Sequence, residues 1–337
     1  MKKIGLKDIA EHVGVSIALV SYVLNGQAEI KQVSKENTQK IKAAAQLLNY
    51  RPNQIAKSLK MLKTYTIGLV VADINYRFST GITRAIEAEA KKANYTVLFG
   101  SSNENADSFA ELINVLINRQ VDGLILVPVE DSQSQITMLQ KAEIPFVLID
   151  RNFPEIPTNH IALNNYRAAY TATEYLIKQG HKQIAFFNYI TTMFHLHERN
   201  RGYLEALRDH HINFNQHWLQ QINSNNRIGD IEQGIDTLFN LKEPCDAMFF
   251  ATDTLAINGL KYLNKIKAKV PQDISVLSFD ESEAFELFYC PVTHLRQPVE
   301  AMGQAAVNTL LELINHNKIS KQLSLESDLI IGQSCRE

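Results

Sequence analysis

The chain has 337 residues, 45% of them hydrophobic and 21% charged, which fits a soluble globular protein too long for one small domain. No stretch is long and apolar enough to cross a membrane, and the basic start carries no sustained apolar run or cleavage site, so a cytoplasmic protein is expected. The formal net charge of −2 hides an asymmetry: residues 1–63 hold eleven Lys/Arg against four acids, and the remainder 23 against 32, so a basic head on an acidic body offers only the head to a polyanion.

In the head, Leu6, Ile9, Ala10 and Val13 fall on one face of a short helix that Gly14 ends. Ser16 caps a second helix from about Ile17 to Leu24, stopped by Asn25 and Gly26. Val20, Val23 and Leu24 face its core; Ile17, Ala18, Ser21 and Tyr22 face outward. Ser34 opens a third helix with an apolar stripe of Ile41, Ala44, Ala45, Leu47 and Leu48. Two short helices around a four-residue turn, buttressed by a third, predict a helix-turn-helix whose second helix enters the DNA major groove. A generic three-helix domain is the alternative, against which the basic bias argues. Pro52 suits the first turn of a further helix over 53–59, too short to be stable alone. A helix that orders only on docking is a physical switch; an ordinary linker is the other reading.

The body alternates apolar strands and amphipathic helices. Strands are expected at 67–71, 96–99, 123–127 and 145–149, with helices over 81–93 and 109–118. After residue 160 the pattern resumes, with strands at 184–187, 247–250 and 274–279 and helices over 166–179, 198–209, 229–240 and 254–266. Continuous apolar strands between amphipathic helices imply parallel sheets covered on both faces, and two such runs imply two open α/β lobes. Ligands bind such sheets beyond the strand carboxyl ends. Asp73, Tyr76, Arg77, Phe78, Glu130, Asp150, Arg151, Tyr189, Asp253 and Asp280 stand there, a mixture of carboxylates, guanidiniums and rings that suits a polyhydroxylated solute. No GxGxxG, Walker A or G-x-S-x-G motif is present, so neither a cofactor nor catalysis is expected. Cys245, Cys290 and Cys335 have no metal-ligand spacing and form no disulfide framework. His195 and His197 are two apart and would not share a helix face, so a polar helix start beside the cleft is preferred over a metal site.

Three stretches carry a specific resemblance: Leu-Lys-Asp-Ile-Ala-Glu-His-Val-Gly-Val-Ser (6–16), Val-Ser-Tyr-Val-Leu-Asn-Gly (20–26), and Asn-Tyr-Arg-Pro-Asn followed by Ala-Lys-Ser-Leu (49–59). With them the chain resembles the LacI/GalR family of bacterial transcription regulators over essentially its whole length. The resemblance implies an all-α helix-turn-helix head (1–50), a hinge helix and linker (51–63), and an α/β two-lobed periplasmic-binding-protein-like domain with two open parallel sheets (64–337) for effector binding and dimerisation. It places the first lobe at about 64–162 plus 293–322 and the second at about 163–292 plus 323–337. It further implies a homodimer on partly palindromic double-stranded operator DNA, with no membrane partner. Ser16 and Ser21 would serve as caps or phosphate contacts, and Ile17, Ala18 and Tyr22 would read bases. Asn53 and Lys57 would face sugar, phosphate or groove edges, Ala56 would let paired hinge helices approach, and Leu59 would wedge between base pairs in the minor groove. Tyr22 stands where the family commonly has arginine, which grips guanine in a way tyrosine cannot.

In the body the resemblance assigns effector contacts to Arg199 and Asp280, then Phe78 and Asn164, the last standing where many members carry Asp, with Asp150 and Asp253 at or beside the cleft; Asp73 is a candidate from its place after the first strand. The implied protein is a repressor whose operator affinity is controlled by a small molecule, a sugar or sugar derivative by preference, with nucleobases, nucleosides and a phosphoprotein as open alternatives. Whether the effector weakens or strengthens DNA binding, and whether the outcome is repression or activation, the sequence leaves open. The alternative function is a solute-binding or carbohydrate-modifying domain with an accessory DNA-binding head.

Overall fold

The computed structural model describes residues 4–50, 63–316 and 320–336. The chain forms two compact units, Met1–Thr64 and Tyr65–Glu337.

The first unit contains α1 (Leu6–Val13), α2 (Ile17–Leu24) and α3 (Lys35–Leu47). Asp8 accepts the Gly5 N–H at 2.7 Å at the start of α1, and Gly14, at φ 77°, closes it in a left-handed conformation suited to glycine. Ser16 and Ser34 accept the N–H groups of Leu19 and Asn37, capping α2 and α3. The core is Ile9, Ala10, Val20, Val23, Ile41 and Ala44, with Ala45 and Leu48 packed against it. Leu47, expected in the α3 stripe, is instead 70% exposed. At about 100° per residue it falls roughly 110° from the centre of the arc set by positions 41, 44, 45 and 48.

The second unit begins with β1 (Thr66–Val71), α4 (Arg77–Lys92), β2 (Thr96–Ser101), α5 (Ala106–Asn118), β3 (Gly123–Leu126), α6 (Gln133–Lys141), β4 (Phe146–Ile149) and β5 (His160–Leu163). It continues with α7 (Asn165–Lys178), β6 (Ile184–Tyr189), α8 (Phe194–Asp209), β7 (Leu219–Ile222), α9 (Arg227–Phe239), β8 (Ala247–Phe250), α10 (Asp253–Lys265), β9 (Ser275–Phe279) and α11 (Glu283–Leu287). It ends with β10 (Thr293–Arg296), α12 (Val299–Ile314), β11 (Gln322–Leu325) and β12 (Asp328–Ile330). One sheet has the order β11-β5-β4-β3-β1-β2 and is parallel throughout; the other has the order β12-β10-β9-β8-β6-β7. Each sheet has its own apolar core.

Three expectations need correction. The second sheet is not wholly parallel, because β12 returns antiparallel to β10 and pairs Arg296 with Asp328. The late crossing between lobes lies at Gln297 and Pro298, not at 293, since β10 still pairs with β9 in the second sheet. The last crossing lies at 326–327, because β11, at 322–325, pairs with β5 in the first.

Close packing explains several glycines. A Cβ on Gly202 of α8 would lie 2.2 Å from the Tyr166 carbonyl oxygen of α7, and one on Gly123 of β3 would lie 2.8 Å from Leu310 of α12. Helix α12 thus covers the first sheet, although it follows strands of the second. No helix among the described residues is long and apolar enough to cross a membrane.

Candidate functional site

Both sheets have a topological switch point, between β1 and β3 in one and between β6 and β8 in the other. The strand ends at these points face each other across a cavity of about 220 Å³, where open α/β sheets bind ligands. Asp150, after β4, and Asp280, after β9, take left-handed φ values of 68° and 64°, and Glu104, after β2, takes 56°. Such backbone is costly for residues with a Cβ and gathers where side chains must be aimed; all three carboxylates line the cavity.

Arg199 of α8 stands at the centre, 2% exposed. Its Nε donates to Asn165 Oδ1 at 2.8 Å, and its Nη1 donates to the Ala251 carbonyl at 2.6 Å and lies 3.7 Å from Asp280 Oδ2. The guanidinium lies 3.6 Å from the centre of the Phe279 ring, a cation–π contact. Burial pulls its pKa down, against the carboxylates of Asp280 and Asp150. Arg151 is held bidentately by Glu104 at 2.8 and 2.7 Å. Burial opposes its charge, and Glu104 outweighs it, leaving the pKa raised.

Asp150 has its carboxyl pushed up to about 6 by burial, in spite of Arg151 and Arg199. Asp253, whose Oδ1 accepts the Thr254 N–H at 2.7 Å, is also raised, by burial and then by Asp280. His195 is neutral, its pKa driven well below the usual imidazole value by burial and by the guanidiniums of Arg151 and Arg199. It belongs to α8 and lines the cleft, whereas His197 Nε2 bonds the Thr191 carbonyl at 2.7 Å.

The cleft is closed by contacts between the lobes. Glu130 Oε1 accepts from Thr191 Oγ1 at 3.1 Å, Thr192 Oγ1 at 2.7 Å and Thr192 N–H at 2.5 Å. Arg77 bonds Glu283 at 2.9 Å, with Glu281 at 3.6 Å. Met193 of the second lobe is buried in the first lobe's core.

Of the effector residues expected from the sequence, Phe78, Asp150, Arg199, Asp253 and Asp280 line this one cavity. Asp73 and Asn164 are not among its lining. Asp73 Oδ1 accepts from the N–H and Nδ2 of Asn75, shaping the turn after β1. Asn164 caps α7 by accepting the Arg167 N–H and also donates to Glu326. Glu104, Arg227 and Gln297, not singled out from the sequence, also line the cavity; Glu104 follows β2 and is within reach of the strand-end rule, Arg227 follows the short half-polar strand β7, and Gln297 lies at a crossing between the lobes.

In the head, Ile17 is 48% exposed and Ala18 is exposed, beside the Ser16 cap. The Ser21 hydroxyl and carbonyl both accept from Asn25 Nδ2. Tyr22 is half-buried, with the Lys31 ammonium 5.5 Å from its ring centre. Asn53, Ala56, Lys57 and Leu59 lie outside the described residues.

Residues 5–53 match the family described as bacterial regulatory proteins, lacI family, and residues 173–335 match the periplasmic binding protein-like domain. An HTH-type transcriptional regulator, RegA of Clostridium acetobutylicum, is 33% identical over 316 residues, 92% of each chain. The chain belongs to the LacI/GalR family of transcription regulators. The ribose operon repressor of Haemophilus influenzae is 30% identical over 98% of each chain. A solved complex of the transcriptional regulator CelR with cellobiose is 26% identical, with a TM-score of 0.73, covering 98% of this chain and 99% of that one. This LacI-family member is therefore a sequence-specific DNA-binding regulator and not an enzyme, with the helix-turn-helix and two-lobed α/β architecture of the family.

Proposed function

We propose that this regulator is a cytoplasmic repressor, acting as a homodimer on a partly palindromic operator, whose DNA affinity is controlled by a carbohydrate bound between its lobes. One observation carries the effector reading. Asp150 Oδ1, Arg151 Nε, His195 Nδ1, Arg227 Nε and Gln297 Oε1 are buried without a hydrogen-bond partner, and all five residues line the same cavity. Buried polar atoms are normally satisfied, so a cluster of exceptions among the residues of one cavity supports a site where a polar ligand supplies the missing partners. Acceptors and donors stand together in this lining with the rings of Tyr76, Phe78 and Tyr189, the combination that suits sugar hydroxyls and C–H faces. The cellobiose complex of CelR and the ribose operon repressor supply the carbohydrate precedent.

For DNA, the proposed reading face comprises Ile17, Ala18 and Tyr22, flanked by Ser16 and Ser21, with Asn53, Ala56, Lys57 and Leu59 in the hinge. Thermal-shift titration of the full-length protein with mono- and disaccharides, repeated with Asp280→Asn, tests the cleft. A saturable stabilisation that the variant loses supports the reading. Binding unaffected by Asp280→Asn removes the cleft from it. Operator affinity with and without that sugar then gives the sign of control.

A further inference from the structure

We infer that the effector is an uncharged polyol, and that the cleft rejects sugar acids and sugar phosphates. The inference rests on the reading of the cavity as the effector site. Five carboxylates line it, those of Glu104, Glu130, Asp150, Asp253 and Asp280, against the three guanidiniums of Arg151, Arg199 and Arg227. His195 adds no positive charge, because burial and its two arginine neighbours keep it neutral.

The guanidiniums are also committed. Both Nη atoms of Arg151 are bound to Glu104. Arg199 gives its Nε to Asn165 and its Nη1 to the Ala251 carbonyl. Neither offers the open two-pronged face that recognises a phosphate or carboxylate. Of the three, Arg227 alone makes no carboxylate ion pair among the described residues; it is half-buried and interacts with the Tyr189 hydroxyl.

Glu104, Glu130, Asp253 and Asp280 already accept from protein donors, but two acceptor oxygens of the lining residues are left over. Asp150, His195 and Gln297 line the cavity, are each 7% exposed, and each has one buried side-chain atom without a protein partner. Two of these atoms are acceptor oxygens, one charged and one amide. Hydroxyl groups donate to such oxygens without adding charge. An anion would place a sixth negative group in a partly dehydrated space, where like charges repel far more than in water.

The test uses the full-length protein and matched probes: glucose, glucuronate and glucose 6-phosphate; galactose, galacturonate and galactose 6-phosphate; cellobiose and cellobionate. Isothermal titration is expected to show a neutral member binding at least about tenfold more tightly than its anionic counterparts, and Asp150→Asn narrowing that ratio. An anionic member binding as tightly as its neutral parent overturns the inference and leaves the carbohydrate reading intact. If no probe binds, the carbohydrate reading fails, and a second arm still tests the charge surplus. Ligand-free Asp150→Asn and Asp253→Asn proteins are expected to melt about 2 °C higher than the parent at pH 8. The advantage should shrink towards pH 5.5. Asp150, ionising near 6 in the fold and near 4 when unfolded, penalises the fold above that range and ceases to do so as it takes up its proton. Lower melting of both variants at pH 8 overturns the inference.

Discussion

Arg199 is the residue on which the body most depends. Replacing it with alanine leaves Asp280 and Asp150 facing each other across a buried site without their shared cation, and urea denaturation of Arg199→Ala is expected to show a loss of about 3–5 kcal/mol. Arg199→Lys should recover little, because a point charge neither stacks flat on Phe279 nor reaches Asn165 and Ala251 together. In the head, Tyr22 is the position at which the proposed base reading can be tested. Tyr22→Arg should shift the operator bases selected in a randomised-site binding experiment towards guanine, and unchanged selection would remove this residue from base reading. Arg199 and Asp280 were legible as a pair only through the family resemblance, since 81 positions separate them. Asn164 shows how local context bears on such a reading: a polar residue before a helix is as suited to capping as to a ligand, and here its side chain caps α7.

Capping organises the reading helix. Ser16 supports α2 through one hydrogen bond, so Ser16→Ala should cost the head about 1 kcal/mol in thermal unfolding. Ser16→Asp should keep the cap but add charge against the DNA backbone. It is expected to fold as the parent does and to bind operator more weakly; equal DNA affinity would show that α2 begins away from phosphate. In the body, α7 and α8 meet backbone to backbone at Gly202, and Gly202→Ala should lower stability by about 3 kcal/mol by forcing the pair apart. Long elements with a clear period were readable from the sequence: β1, β3, β6, β8 and β9 are continuous apolar runs, and α7 to α10 are amphipathic. The omissions have physical causes. Strand β7 is Leu-Gln-Gln-Ile on a sheet edge, half polar and only four residues long, and β11 is an edge strand with alternating exposure. The pairing partner of β10 could not be read locally, because a crossing has no periodicity of its own.

At the scale of the molecule, the two lobes are joined across the cleft by Glu130 on one side and Arg77 on the other. Glu130→Ala combined with Thr192→Val should enlarge the radius of gyration of the ligand-free protein in solution scattering and speed ligand association. An unchanged profile would show that closure does not depend on this contact. The latch should persist in mild acid. Burial pushes the Glu130 carboxyl up, but the Thr192 and Thr191 donors outweigh it and hold its pKa below the ordinary value, so this contribution is lost only as pH falls through that lowered range. The interleaving of the lobes has a further effect during synthesis. The first sheet awaits β11 and the second awaits β10 and β12, all contributed after residue 292, whereas the three-helix head is complete within the first 50 residues. Chains fold as they emerge, amino end first. Each new molecule therefore carries a finished helix-turn-helix well before it has a finished effector domain, and a ribosome-bound fragment holds the DNA-facing module without the part that controls it.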